Sequence, residues 1–405
     1  MSRRHARDMT TIIRAEAAHD FLALLPSLAG YRPARSLVAV AFSGNRTAGV
    51  IRFDLPAKVD DRQRLAERVV AMLCRLPDVD ALVPVVYSDA RYRGAAAAGE
   101  RELLRRVADR ADDAGFHVRD VLRVARDAWG SLLDAGTPAA GRSLALIDES
   151  PAAAHPVLRG RGIASPEGAA ELPEVRPEEV AEVARVLALV DEEPGGLLDR
   201  LGDAADPVTF VERLVGDARS ERKDESLVWT LSEAEASAWF VHLAERPAIR
   251  DAMMLQIGFG EEVGAVAMDD AFDTIDRAEE AGLSVDDFVR RETRRGGGGL
   301  ATTIVVSNLM LGLTSERPDV ERVERGLEHV KRAIALAPEA QRPPALCIAA
   351  WLSWSLGRGS AAWAFLERSA AIDPEHSMTA LLSAYFGSGA LPEWAFTAPT
   401  DRRAA

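Results

Sequence analysis

Arg35, Ser36, Asp54, Ser88, Asp89 and Asp127 are the residues of this chain whose types and positions point most directly to chemistry. Each falls at the end of an apolar run: Arg35 and Ser36 before residues 37–42, Asp54 within 48–55, Ser88 and Asp89 after 81–87, and Asp127 after 118–125. Trp129 follows closely. Three carboxylates at such ends suit a hard divalent cation such as Mg²⁺. Arg35 with serine hydroxyls suits an anionic ligand instead. The bland alternative is the commoner fate, because an aspartate after a strand usually caps a helix or sets an Asx-turn. No other side chains reinforce a reactive site: His5, His19, His117, His155, His242, His329 and His376 are scattered without metal-ligand spacing, so neither metal nor cofactor is expected. Cys74 and Cys347 each fall on an apolar helical pattern and read as reduced, buried thiols. Arg294-Arg295 precedes the glycines at 296–299, but without the Gly-Lys-Ser/Thr ending of a phosphate loop the run reads as a hinge.

The elements that must position the polar residues follow from the hydrophobic pattern. Ser43-Gly44-Asn45-Arg46 separates two apolar runs, and a two-residue turn at Gly44 and Asn45 makes them an antiparallel hairpin with Arg35 opposite Asp54. A helix opens at Asp60 and Asp61, carries Leu65, Val69, Met72, Leu73 and Leu76 at helical spacing, and stops at Pro77. A buried strand over 81–87, a helix over 99–114, a strand over 118–125 and a possible last strand over 143–147 complete the set. The alternation predicts an α/β domain over 1–164, with a mixed, mostly parallel sheet and an antiparallel edge hairpin. If strands two, three and four run alike, Asp54, Asp89 and Asp127 emerge at one sheet edge, where open α/β sheets bind ligands.

Residues 165–177 are rich in Pro, Glu and Ala and read as a linker; beyond them strand signals stop. A helical region is expected over 178–295, where Ser232 and Glu235 form a capping box, and further hairpins over 300–405. Ala350, Gly357, Ala362, Ser369 and Pro374 have the spacing of a tetratricopeptide hairpin, with a degenerate repeat ending at Pro338. About three repeats are needed for a self-supporting stack, so the earlier helices must complete it. Trp351, Trp354 and Trp363 line either a partner groove or the inter-helix core, and core is the commoner fate of bulky residues at this spacing.

Across 405 residues, 48% are apolar and the net charge is −14. That balance disfavours nucleic acid, which requires clustered basic residues. No uncharged apolar run approaches about 18 residues, and the N-terminus has no apolar signal region, so neither a membrane span nor export is expected. A cytoplasmic protein follows.

Several segments together resemble the actinobacterial family known as domain of unknown function 4192: LPSLAGYRPARSLVAVAF from Leu25, RFDLP from Arg52, VVYSD from Val85, SPAAAHPVLRGRG from Ser150 and AAWLSWSLGRGSAAWAFLERSAAIDP from Ala349. Members of that family commonly carry a cysteine cluster after the Trp of the last strand. Here Gly130-Ser131-Leu132-Leu133-Asp134 has none, so the resemblance implies no metal or redox role for that stretch. It also implies no known activity. The expected function is a non-enzymatic interaction or scaffold protein, with a protein partner or a second copy bound by the helical half. The alternative is an α/β domain that binds a small molecule, nucleotide or divalent cation, with or without hydrolysing it, and with the helices as lid or dimerisation arm.

Overall fold

The computed structural model describes residues 15–29, 32–56, 58, 60–152, 168, 170–192, 195–215 and 231–397. The chain divides into two compact units, Met1–Pro166 and Glu167–Ala405.

The first unit contains α1 (Ala18–Ala29), β1 (Ser36–Ser43), β2 (Arg46–Asp54), α2 (Asp60–Leu73), β3 (Ala81–Tyr87), α3 (Ala95–Asp113), β4 (His117–Val118), β5 (Leu122–Val124), β6 (Trp129–Ser131) and α4 (Ala145–Asp148). Strand order is β2-β1-β3-β5-β6, with β4 beside β3. The sheet is mixed, as expected, yet not mostly parallel: β1 pairs antiparallel with both β2 and β3, β5 with β6 likewise, and only β3 pairs parallel, with β4 and β5. The cause is an insertion. The α2 crossover carries the chain past β1, so β3 docks on the free side of the hairpin and β1 becomes an interior strand.

That position explains the run 37–42, buried on both faces. Leu37, Ala39 and Ala41 join the core that includes Leu65, Val69 and Leu73 of α2 and Leu103, Leu104 and Val107 of α3. Val38, Val40 and Phe42 point the other way, into a core with Leu22 and Leu25 of α1. The period of two thus divides β1 between the two layers that sandwich it. The hairpin turn sits where expected, with Gly44 at φ 50 and its N–H donating to Asp80 Oδ2 at 2.9 Å.

Two local expectations fail. The strand expected over 118–125 is broken, because the Asp120 carboxylate accepts from the Val121 N–H at 2.8 Å and from the Ser131 hydroxyl at 2.5 Å. The segment expected as a last strand is mainly α4, leaving only an isolated bridge between Trp129 and Arg142. Cys74 is exposed just beyond α2, in contrast to the buried site expected for it.

The second unit is helical: α5 (Pro177–Glu192), α6 (Gly195–Leu201), α7 (Pro207–Val215), α8 (Glu233–Ala244), α9 (Pro247–Phe259), α10 (Glu261–Glu280), α11 (Val285–Arg294), α12 (Ala301–Met310), α13 (Val320–Leu336), α14 (Pro343–Ser355), α15 (Gly359–Ile372) and α16 (Ser377–Gly387). The capping box opens α8: Ser232 Oγ accepts the Glu235 N–H at 3.2 Å and Glu235 accepts the Ser232 N–H at 2.9 Å. One core runs from Ala170 to Trp394 and includes α9 and α14. Helices on both sides of the glycine run therefore share it. Segment 165–177, expected as a linker, contributes Ala170 and Leu172 to this core where it is described.

The glycine run is a tied turn. Gly297 is left-handed at φ 68, and Arg277 Nη1 of α10 donates to the Gly299 carbonyl at 2.9 Å. Carboxylates pin the helices to one another. Arg322 of α13 grips Glu212 of α7 through both terminal nitrogens at 2.8 Å, which holds that carboxyl below the usual carboxylate range.

Candidate functional site

β1 runs antiparallel to both β2 and β3, and β5 runs parallel to β3, so Asp54, Asp89 and Asp127 do leave the sheet at one edge. Their partners separate them. The pairing register shifts between Ala41 and Phe42: Phe42 faces Thr47 while Ala41 faces Gly49, which leaves Ala48 as the extra residue of a bulge. That one residue sets Ser36, not Arg35, opposite Asp54. Asp54 pairs instead with Arg52 on its own strand at 2.7 Å.

Arg35, at φ 43, turns toward Asp89 at 3.7 Å, with the two side chains 77% and 76% exposed. Solvent screening leaves such a pair weak. Asp127 accepts the Tyr92 backbone N–H at 2.7 Å and so fastens a loop. Among the described residues no group of three His, Cys, Asp or Glu side chains is placed to hold a metal ion. Ser36 is fully buried, and its hydroxyl makes no hydrogen bond among the described residues.

Ser88 leads to a network that sequence reasoning missed. Its hydroxyl donates to Glu100 Oε1 at 2.5 Å, and the other carboxylate oxygen receives Arg123 Nε at 2.7 Å. Arg123 lies fully buried in the middle of β5, donating also to the carbonyls of Tyr92 at 3.2 Å and Arg91 at 3.1 Å. A buried guanidinium is tolerated only when so fully paired. One arginine inside a strand pattern has no spacing signature, so its partner across α3 could not be read from sequence. Trp129 is likewise buried, donating from Nε1 to the Ser143 carbonyl at 3.0 Å. The edge is thus largely consumed by its own architecture.

The tryptophans of the helical unit divide. Trp351 is fully buried, donating to the Met310 carbonyl at 2.8 Å, and Trp354 stacks on Phe386 at 5.1 Å while donating to the Ala390 carbonyl at 3.1 Å. Both lie in the inter-helix core, the commoner of the two fates open to them from the sequence. Trp363 is 42% exposed.

The family of domains of unknown function DUF4192 matches residues 19–393, which takes in most of both units. The chain belongs to the DUF4192 family. No match was found among curated proteins or among solved structures.

Two further features of this DUF4192 protein concern chemistry and surface. Cys347 of α14 and His376 before α16 meet, Sγ to Nδ1 at 3.7 Å, with Thr379 Oγ1 at 3.3 Å from the sulfur and 2.9 Å from the ring nitrogen. Burial pushes the Cys347 thiol up, whereas burial and then the Arg250 charge push the His376 imidazole down. A nucleophilic cysteine needs the opposite shifts, toward thiolate and imidazolium. The pair is a neutral clasp.

The surface feature lies at α12, Ala-Thr-Thr-Ile-Val-Val-Ser-Asn-Leu-Met, which buries none of its residues fully. Ile304 is 50% and Val305 58% exposed, and Leu311 and Leu313, just beyond the helix, are exposed as well. Thr303, donating to Asp270 at 3.1 Å, ties the opposite side of α12 to α10.

Proposed function

We propose that this DUF4192 chain is a non-catalytic interaction protein of the cytoplasm, whose tetratricopeptide-like helical unit receives an apolar helix of a partner protein along α12. The supporting observation is the exposure of Ile304 and Val305 on a helix with no fully buried residue. Neighbouring exposed apolar side chains mark binding sites more often than singly scattered ones do. Three turns of helix match the length of a helix-in-groove contact. Trp363, 42% exposed on α15, is a second anchor for such a partner.

Deleting everything after residue 295 is a poor test, since α13 and α14 carry much of the shared core. A photo-crosslinking residue at position 305, with a control at exposed Glu375, is better. A partner captured at 305 alone, whose binding to the purified full chain is lost in Ile304→Glu, supports the docking face. Capture only of a second copy would replace the foreign partner by self-association, and equal capture at both positions would remove the face from consideration.

A second reading keeps the sheet edge as a small-ligand site. It is favoured by the buried, unpartnered hydroxyl of Ser36 beside the left-handed Arg35. A thermal-shift screen against nucleotides and divalent cations tests it: a ligand at a hundredfold excess over Kd stabilises by about 2.7 kcal/mol. A shift that persists in Ser36→Ala would place the ligand elsewhere.

A further inference from the structure

The glycine run and its flanking arginines, set aside as a phosphate loop because the lysine and hydroxyl residue are missing, gain a different meaning in three dimensions. A concavity of about 330 Å³ on the surface of the helical unit is lined by Asp287, Arg290, Arg291, Arg294 and Arg295. We propose that this concavity binds a small phosphate-type oxyanion, such as inorganic phosphate, pyrophosphate or the phosphoryl end of a phosphomonoester.

The first argument is charge that the chain leaves uncompensated. Arg290 and Arg294, and again Arg291 and Arg295, stand one helical turn apart, a like-charge spacing that destabilises an isolated helix. Two carboxylates answer them. Asp287 Oδ1 takes Arg290 Nη2 at 2.8 Å, and Glu292 Oε1 is shared by Arg291 Nε and Arg295 Nη1, each at 3.2 Å. Asp287 is further engaged through Oδ2 by the Ser284 hydroxyl at 2.9 Å. The Arg294 side chain has no ion pair or hydrogen bond among the described residues. The helix macrodipole accounts for Arg291 and Arg294 in the last turn of α11 and for Arg295 at its C-cap, but not for Arg290.

The second argument is a fixed platform. Phe288 is buried with Ala278 and Leu300, and the guanidiniums of Arg277 and Arg291 each lie 5.2 Å from its ring. The N–H groups of Gly296 and Gly297 close the end of α11 onto the Thr293 carbonyl at 3.1 Å and the Glu292 carbonyl at 2.9 Å. The backbone that carries the four arginines is therefore tied at both ends, and an anion need not order it.

The third argument selects the ligand class. Guanidinium forks match tetrahedral oxyanions with paired N–H···O bonds, and several converging forks favour a multiply charged group over a single carboxylate. A long polyanion would be repelled by a chain of net charge −14, whereas a small dianion meets only the local field.

Isothermal titration of the full chain with inorganic phosphate, pyrophosphate and a nucleoside monophosphate, at matched ionic strength, tests the site. Saturable binding is expected, tighter for pyrophosphate than for phosphate. Arg290→Gln with Arg294→Gln is expected to weaken it at least about tenfold while leaving the melting temperature unchanged, since neither residue is buried. A mononucleotide that binds no better than phosphate assigns recognition to the phosphoryl group alone, and one that binds far better adds a nucleoside subsite to the same proposal. Absence of saturable binding by all three anions, or binding indifferent to the double substitution, overturns it. Arg294→Gln alone guards against a folding artefact.

Discussion

Cys347 Sγ stands 3.7 Å from His376 Nδ1, and the same ring nitrogen accepts the backbone N–H of Thr379 at 3.4 Å at the start of α16. The imidazole is thus a helix cap in its neutral form, because protonation at Nδ1 would replace an acceptor by a donor. Sequence spacing of 29 residues gave no hint of the meeting. It depends on α14 and α16 packing side by side.

One prediction concerns pH and thiol reactivity. The folded imidazole titrates below its ordinary value of 6.5, so between those two values the unfolded chain binds the extra proton. Stability from His376 is therefore complete above pH 6.5 and is lost as pH falls through the folded value. Urea melts at pH 7.5 and 5.5 should show a loss on acidification that shrinks in His376→Gln; an equal loss in both proteins would deny the cap this role. In the native state a disulfide reagent should modify Cys74 rapidly and Cys347 only on unfolding, since one thiol is exposed and the other buried.

The buried pair of Arg123 and Glu100 gives a second prediction. Removing the carboxylate in Glu100→Gln leaves a fully buried guanidinium short of its counter-charge, at a cost of about 3 kcal/mol. Glu100→Gln combined with Arg123→Met should cost less than the sum of the single substitutions, because the second change removes the stranded charge. Additive denaturation free energies would show that the two side chains do not depend on each other.

A third prediction tests packing at Gly130. A Cβ there would lie 2.1 Å from the Tyr92 hydroxyl and 2.6 Å from Thr137 Cγ2. Gly130→Ala should destabilise the first unit by about 1–3 kcal/mol, the usual cost of overpacking. Tyr92→Phe in the same chain removes the nearest atom and should recover part of the loss. No recovery in a thermal melt would locate the strain at Thr137 instead.

Local rules made part of this protein legible in its sequence. The Gly44-Asn45 turn follows from positive φ, the α8 cap from the Ser232 and Glu235 spacing, and the burial of Trp351 and Trp354 from helical periodicity. Their causes act over a few residues. The candidate edge was legible only in outline: strand direction placed Asp54, Asp89 and Asp127 together, but the extra residue at Ala48 shifted the partner of Asp54 from Arg35 to Ser36. A bulge leaves the hydrophobic alternation on either side nearly intact, so pattern reading passes over it.

The sequence by itself therefore determined the family, the division into an α/β part and a helical part, and the turns and caps whose geometry one or two side chains dictate. Tertiary structure alone decided that β1 lies inside the sheet, that Arg123 meets Glu100, that Cys347 meets His376, and that Ile304 and Val305 of α12 stay exposed. Each of these depends on which surfaces meet across many residues of intervening chain. Such contacts are fixed by the joint burial and charge pairing of whole elements, to which a single segment's pattern contributes only one side.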